Sequence, residues 1–323
     1  MRELIESLKS SESLVQKKAI GDIWKYFPKA CQISGEDVLL GDDAAAIKFG
    51  DHYLLLAGEG VFQPLIESNP YLAGRTSVLT NVNDIYSMGG RPVAIVDVLF
   101  SSDSKITEEI LRGISDNAAR YKVPVVGGHI SQDTQCSSLS VFILGKAKNL
   151  LSSFNARDGD DLVFISNSKG KFVPGFNFWD SSSMLGDEEV LDDLELIAEI
   201  AEEGLADTAK DVSMAGLIGS ILMLLESSQR GVLLNLDKIP KPCEVPLKEW
   251  LLAFPSFGFI MSLRPENTDK VKDKFQKRGL KCEKIGQVTS DMKVSFVNKA
   301  GEKELFWNLR TTPFIGVGDS IPN

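Results

Sequence analysis

The sequence predicts an α/β (α+β) chain of two domains. Three observations carry that prediction. The chain has 323 residues, and at ~150 residues per domain that is enough for two. Stretches of helical period alternate with short runs of β-branched and aromatic residues. Ser, Asn, Gly and Asp cluster between residues 150 and 161 and divide the alternation in two. The expected domains are residues 1–150 and 151–323.

The elements are expected as follows. Ser13 to Phe27 reads as a helix. Ser13 and Gln16 make a capping box, Ile20, Ile23, Trp24 and Phe27 recur at helical spacing, and Pro28 ends the run. Val38, Leu39 and Leu40 precede Gly41-Asp42-Asp43-Ala44-Ala45-Ala46-Ile47. Tyr53 to Ala57 reads as a buried strand. Leu72 to Met88 reads as a helix closed by Gly89-Gly90 and Pro92. Val93 to Phe100 is a strand by its Val and Ile content. Thr107 to Tyr121 is a helix with Thr107 as its N-cap. Val123 to Val126 and Leu139 to Leu144 are strands. The second half opens with a strand, Leu162 to Ser166, and a polar-aromatic loop, Lys169 to Met184. Helices at about 187–204 and 213–227, strand 231–236, helix 246–252, strand 258–263, helix 266–279 and late strands to Trp307 complete it.

Composition excludes several classes. Hydrophobic residues make up 43% and charged residues 25%, which is ordinary for a globular chain and too apolar for a disordered one. Lys plus Arg number 35 against 45 Asp plus Glu, a net charge of −10. With no basic run, nucleic-acid and anionic-membrane binding are not expected. Such a chain still binds phosphates through divalent metals. Cys31, Cys136, Cys243 and Cys282 form no C-x-x-C pair, so neither a zinc site nor a disulfide framework is expected. Met1-Arg2-Glu3-Leu4-Ile5-Glu6 is charged and unlike a secretory signal, and no apolar run of ~18 residues occurs. A reduced, cytoplasmic protein is expected. With only His52 and His129 present, triad chemistry has two possible bases.

No Walker-type or G-x-G-x-x-G cradle is present. Carboxylates stand out instead. Gly41-Asp42-Asp43 is either a plain turn or a hard-metal seat, because adjacent carboxylates repel unless a cation lies between them. Asp84, in Asn81-Val82-Asn83-Asp84, lies late on a helix among Val78, Leu79, Val82 and Ile85. It is either a semi-buried carboxylate that wants a metal or a helix-end cap. Glu59, between Gly58 and Gly60, is either a turn residue or a ligand contact. Val125-Val126 runs into Gly127-Gly128-His129, a turn able to present backbone N–H groups to phosphate, with His129 as a further donor or simply a packed loop histidine. Asp211 or Ser213 caps the apolar helix that follows. Trp179-Asp180-Ser181 belongs to a surface loop or lid.

Taken in order, these segments resemble the aminoimidazole-ribonucleotide-synthetase-like superfamily over nearly the whole chain. Gly41-Asp42-Asp43-Ala44-Ala45 is similar to its G-D-D-A-A. Asn83-Asp84-Ile85 with Met88-Gly89-Gly90-Arg91-Pro92 is similar to N-D-I-x-x-M-G-G-x-P. Gly127-Gly128-His129 resembles G-G-[DEH], Asp211-Val212-Ser213 through Gly216-Leu217 resembles D-[IV]-[ST]-x-x-G-L, and Ile285-Gly286-Gln287-Val288 resembles I-G-x-V. The resemblance implies a two-domain fold whose N-terminal sheet closes a barrel-like core with its dimer mate, beside a C-terminal α/β domain. It implies a homodimer with ATP and Mg²⁺ bound between the halves. Asp42, Asp43, Asp84 and Asp211 would be metal-side residues. Asp43, Glu59, Asn83, Gly127, Gly128 and His129 would lie on the ATP phosphates. Independently of the resemblance, the loop Lys169 to Met184, long, polar and holding Trp179 and Asp180, is expected to shape the side of a small-molecule substrate, with Phe257 a further candidate there.

The chain also departs from its relatives. Cys31 matches no selenophosphate-synthetase motif, and Ile321-Pro322-Asn323 lacks the reactive cysteine of the hydrogenase-maturation enzyme. His129 and Phe254-Pro255-Ser256-Phe257-Gly258-Phe259 differ from thiamine-monophosphate kinase. The nearest resemblance is to the synthetase-related, methanogenesis-marker-like branch. Two functions follow. One is an ATP- and Mg-dependent kinase or synthetase, favoured by all four aspartates. The other is a non-catalytic nucleotide-binding regulatory or assembly protein, for which Glu59 and His129 leave room.

Overall fold

Strand Ser138–Ala147 alternates: Leu139, Val141, Ile143, Gly145 and Ala147 are buried, while Phe142, Leu144 and Lys146 are exposed. A strand with one buried face needs a helical layer on that face, and this requirement organises the first half of the chain. The computed structural model describes residues 1–132 and 134–317; Ile321-Pro322-Asn323 lies outside them.

In chain order the first half contains α1 (Arg2–Lys9), α2 (Glu12–Lys17), β1 (Ala30–Ile33), β2 (Glu36–Leu39), β3 (Ala45–Phe49), β4 (His52–Gly60), α3 (Gln63–Ser68), α4 (Pro70–Ser87), β5 (Arg91–Phe100), α5 (Ser104–Arg120), β6 (Val125–Ser131) and β7 (Ser138–Ala147). The second contains β8 (Asp161–Ser166), β9 (Lys171–Phe172), β10 (Phe178–Asp180), α6 (Asp187–Glu202), β11 (Ala209–Asp211), α7 (Gly216–Ser227), β12 (Gly231–Asn235), α8 (Leu247–Leu251), β13 (Phe254–Pro255), β14 (Gly258–Leu263), α9 (Pro265–Lys277), β15 (Lys281–Thr289), β16 (Lys293–Val297) and β17 (Lys303–Asn308).

The fold is mixed α/β. A five-stranded sheet in the order β3-β4-β7-β5-β6 carries the first half, and a seven-stranded sheet in the order β11-β14-β8-β15-β12-β16-β17 the second. Two small sheets, β1-β2 and β13-β10-β9, flank them, and none closes into a barrel among the described residues. Helices α4 and α5 cover one face of the five-stranded sheet. Its other face leaves Leu56, Val96, Phe100, Phe142 and Leu144 exposed. Leu56 pairs with Leu144, and Phe142 with both Gly58 and Val96, so these side chains form one apolar surface. A Cβ at Gly58 would lie 2.3 Å from the Phe142 ring, which explains the glycine. No helix among the described residues is long and apolar enough to cross a membrane.

Helix α4 is the pivot. From Ala73 to Ser87 it is buried on nearly every side. It lies between the five-stranded sheet, α5 and, across the seam, β11 and α6. A helix enclosed all round loses the usual apolar stripe, so polar residues at its far end enter the interior.

Several expectations are corrected. The first helix is not one run from Ser13 to Phe27. It is α2 followed by a 3₁₀ stretch, Lys18–Lys25, and Ser13 lies inside α2 rather than capping it. Only Leu55 is buried between Tyr53 and Ala57. Asp103, not Thr107, caps α5, accepting from the Lys105 and Ile106 N–H groups. Gly127-Gly128-His129 is strand, not turn: β6 runs through it as the edge of the sheet, where weakly packing glycine costs least. Neither Asp211 nor Ser213 caps α7, because Asp211 ends β11 and α7 starts at Gly216. Residues 169–184 are not all surface loop: Lys169, Lys171 and Met184 are exposed, but Phe178, Trp179, Ser181 and Ser182 are buried. Trp179 is 2% exposed, packs edge-on against Phe172 and Trp250, and donates Nε1–H to the Asn167 carbonyl at 3.1 Å.

Candidate functional site

The site begins at a turn only glycine can make. Gly41 has φ +111°, and a Cβ there would lie 2.1 Å from the Val317 side chain. The chain leaves this turn with two aspartates that are held differently. Asp42 accepts from the Ser152 hydroxyl at 2.6 Å and from the Ser153 hydroxyl and amide at 2.5 and 3.1 Å. It ties the β2–β3 connection to the segment leaving β7. Asp43 is engaged by α4 and β11. Its Oδ2 accepts from the Ser87 hydroxyl at 2.7 Å and the Asp211 amide at 3.2 Å, and its Oδ1 is paired with the Lys210 ammonium.

Asp84 descends from α4 and Asp211 ends β11. One carboxylate oxygen from each of Asp43, Asp84 and Asp211 lies within 4.8 Å of the others. Asp84 is 6% exposed and Asp211 3%. Asp84 Oδ2 and Asp211 Oδ1 are buried without a hydrogen-bond partner. Buried carboxylate oxygens are normally hydrogen-bonded, and here Asp211 Oδ1 has only the Lys210 ammonium at 3.8 Å while Asp84 Oδ2 has no donor, which requires an explanation.

The electrostatics agree with a cluster short of positive charge. Burial, then the charges of Asp211, Glu59 and Asp43, holds the Asp84 carboxyl well above the ordinary carboxylate range. Burial and then Asp43 push Asp211 up to about 7. Burial, reinforced by Asp43 and opposed by the serine hydrogen bonds, brings Asp42 to about 6. Burial acts against the Lys210 charge, but Asp43 and Asp211 more than offset it and raise its pKa. Hard oxygen donors with unused lone pairs fit a magnesium-type cation, which takes carboxylate and phosphate oxygens together. Asp84 and Asp211 would supply the free oxygens, with Asp43 bracing both.

Of the other residues picked from the sequence, Asn83 is buried and donates to the Ser256 carbonyl at 3.2 Å across the seam, while its Oδ1 has no partner. Glu59 is the last residue but one of β4; burial of its carboxyl, helped by the Asp43 charge, raises its pKa against the pull of Lys17 and Lys210. Gly127 and His129 pair with Val96 and Val98 on β5, on the sheet face turned away from α4. His129 Nε2 is 3.2 Å from the Ser131 hydroxyl. Gly128 stands over Asp97, whose carboxylate leaves no room for a Cβ. The structure therefore does not bring residues 127 and 129 to the aspartate cluster of the same chain. Asp180 accepts from the Ser183 amide at 3.0 Å, and Phe257 is buried against Phe259.

Sequence reasoning did not single out Lys210, Ser87, Ser152, Ser153 or Ser256. Ser87 was accessible as the residue one helical turn beyond Asp84. Lys210 was accessible as the only basic residue adjoining one of the four aspartates.

Comparison with known proteins adds the family. Residues 41–147 match the AIR synthase related protein N-terminal domain, and residues 165–298 match the AIR synthase related protein C-terminal domain. An uncharacterised protein of Synechocystis sp. is 41% identical over 322 residues, covering 99% of this chain and 100% of that one. One from Methanocaldococcus jannaschii is 34% identical, covering 95% and 96%. The phosphoribosylformylglycinamidine synthase subunit PurL of Methanosarcina mazei is 29% identical, covering 81% of this chain but 40% of PurL. Among solved structures, Thermotoga maritima PurL complexed with ADP superposes with a TM-score of 0.75 at 19% identity, covering 98% of this chain and 55% of that one. AaThiL complexed with AMPPCP and TMP gives a TM-score of 0.64 at 20% identity, covering 82% and 89%. This chain spans about half the length of the PurL proteins it matches or less. It belongs to the AIR synthase related family.

Proposed function

We propose that this member of the AIR synthase related family is an ATP- and Mg²⁺-dependent enzyme that transfers a phosphoryl group to a small metabolite. The observation that carries the proposal is the pair of buried oxygens that accept no hydrogen bond, Asp84 Oδ2 and Asp211 Oδ1, beside Asp43. Phosphoryl transfer requires positioning and neutralisation of phosphate charge, and oxygen-ligated divalent cations supply the latter. Asp84 and Asp211 would hold the cation. Asp43 keeps Asp211 in place through its amide, and Ser87 keeps Asp43 in place. Asn83 Oδ1 and Glu59 remain as polar groups for the nucleotide side. Structural neighbours solved with ADP and with AMPPCP support nucleotide binding by this architecture. The FGAR and TMP bound by PurL and ThiL mark the size of substrate, not its identity.

We also propose that two copies associate through the apolar face of the five-stranded sheet. That face would otherwise leave Phe142, Leu56 and Phe100 in water. Association would bring Gly127 and His129, which share the face, into the interface.

One observation favours a second reading, a nucleotide-binding partner without turnover: Lys210 already neutralises part of the cluster. Magnesium-dependent ADP release, measured against a panel of metabolites bearing hydroxyl, phosphate and amide acceptors, separates the two. Acceptor-stimulated release supports the enzyme. ATP binding with no stimulation by any acceptor supports the partner.

A further inference from the structure

Lys210 is a buried lysine inside a carboxylate cluster. Its residue is 6% exposed, and its ammonium lies against Asp43 Oδ1 and 3.8 Å from Asp211 Oδ1. It comes from β11 of the seven-stranded sheet, whereas Asp43 precedes β3 of the five-stranded sheet, so the pair crosses the seam. The division of labour among the carboxylates follows from it. Asp43 has no unused oxygen: Lys210 takes one, and Ser87 with the Asp211 amide takes the other. Among the three carboxylates, the oxygens that accept no hydrogen bond belong to Asp84 and Asp211.

We propose that Lys210 is the protein's built-in counter-ion to this cluster, which occupies Asp43 and restricts the remaining carboxylates, Asp84 and Asp211, to a single divalent cation. The inference rests on the metal-dependent function proposed above. Two consequences follow from charge alone. A fixed ammonium a few ångströms from a divalent cation repels it, so Lys210 weakens metal binding relative to the bare carboxylates. The same ammonium compensates Asp43 in the metal-free protein, where three buried carboxylates would otherwise repel one another. Lys210 therefore trades cation affinity for a chain that folds before metal arrives. It also leaves a positive charge beside the cation, where a second anionic group, such as a phosphate oxygen, gains attraction.

The test is calorimetric titration of the chelator-treated protein with Mg²⁺ and Mn²⁺, alongside melting curves with and without metal. Lys210→Met keeps the apolar stem and removes the charge. The wild type should bind one cation per chain. Lys210→Met should bind at least about tenfold more tightly, or take up a second cation. Its metal-free melting temperature should fall and recover with Mg²⁺ by a larger step than in the wild type. Equal affinity and stoichiometry in the two proteins would overturn the role of Lys210 and leave the metal-dependent function standing. Binding by Lys210→Met but not by the wild type would support Lys210 as a blocking charge and sink that function. No binding by either would sink both. If Lys210→Met does not fold, Lys210→Arg decides: a retained charge should retain the single cation, and a gain of a second overturns the proposal.

Discussion

The Ser87 hydroxyl lies 2.7 Å from Asp43 Oδ2 and 2.8 Å from the Asp84 carbonyl, so the last turn of α4 and the turn before β3 share one small polar group. Removing it leaves a buried carboxylate with one donor fewer. Ser87→Ala should cost about 1.5–3 kcal/mol, the range for hydrogen bonds to charged groups. Denaturant unfolding in chelator measures it, and a change within error would mean that Lys210 and the Asp211 amide suffice for Asp43.

Asp84→Asn keeps the shape and removes one of the two free anionic oxygens. Mg-ATP affinity should fall at least about tenfold, or ~1.4 kcal/mol. Metal-free stability at pH 7.5 should hold or rise, because Asp211, Glu59 and Asp43 lose a like-charged neighbour. Calorimetry with and without Mg²⁺ and a melting curve give both numbers. A large drop in melting temperature with unchanged affinity would make Asp84 a structural residue.

The pH dependence has a definite sign. Asp42 titrates near 6 and Asp211 near 7 in the folded chain, both above the ordinary 3.8, and Asp84 is displaced the same way. A carboxyl with a raised folded pKa holds its proton more tightly when folded. Its stabilising contribution is complete below about pH 4 and is lost as pH rises through the folded value. Metal-free protein should therefore lose on the order of a few kcal/mol between pH 5 and 8. Saturating Mg²⁺ should flatten that slope, since the cation prefers ionised carboxylates. Urea titrations across this range in chelator and in Mg²⁺ test it; identical slopes would show that the cation is held elsewhere.

Trp179→Ala should act on the fold. Its ring is enclosed by Phe172 and Trp250, and truncating a buried tryptophan costs about 3–5 kcal/mol. A variant of full stability but impaired turnover would restore the substrate-facing role expected from the sequence.

Association is tested at Phe142, 42% exposed in the middle of the apolar sheet face. Light scattering should give about twice 35.4 kDa for the wild type. Phe142→Asp should give a chain of single mass with unchanged helix content, because the ring faces away from α4 and α5. A wild type of single mass at micromolar concentration would remove the proposed interface.

Much of this was legible because it is local. The helix around Asp84 carries Leu72, Val78, Leu79, Val82 and Ile85 among its polar residues and stops just before Gly89, whose φ of +77° suits a helix terminus. β5 and β14 declare themselves by β-branched and aromatic content. What failed depended on tertiary context. Gly127-Gly128 has the composition of a turn, but parallel pairing with β5 draws it into a strand edge. Trp179 sits among polar residues in sequence, yet its neighbours in space are Phe172, Asn167 and Trp250. Asp42 and Asp43 are indistinguishable as letters. Only the fold shows that serines 152 and 153 hold the first and that Lys210 and Ser87 hold the second. Nothing in a run of residues reports a partner 44 to 167 positions away.

Asp84 belongs to the layer of the five-stranded sheet and Asp211 to the seven-stranded one, so a cation seated between them is bound by both halves or by neither. Binding and seam closure then become a single equilibrium. Any change that loosens the seam, even one far from the carboxylates such as at Arg91, which reaches Glu195 and Glu202 of α6, should surface as weaker ion affinity. Conversely, the ion should slow amide hydrogen exchange on both α4 and β11. If the proposed cation binds there, the aspartates would form a latch whose strength is set by the whole contact between the halves.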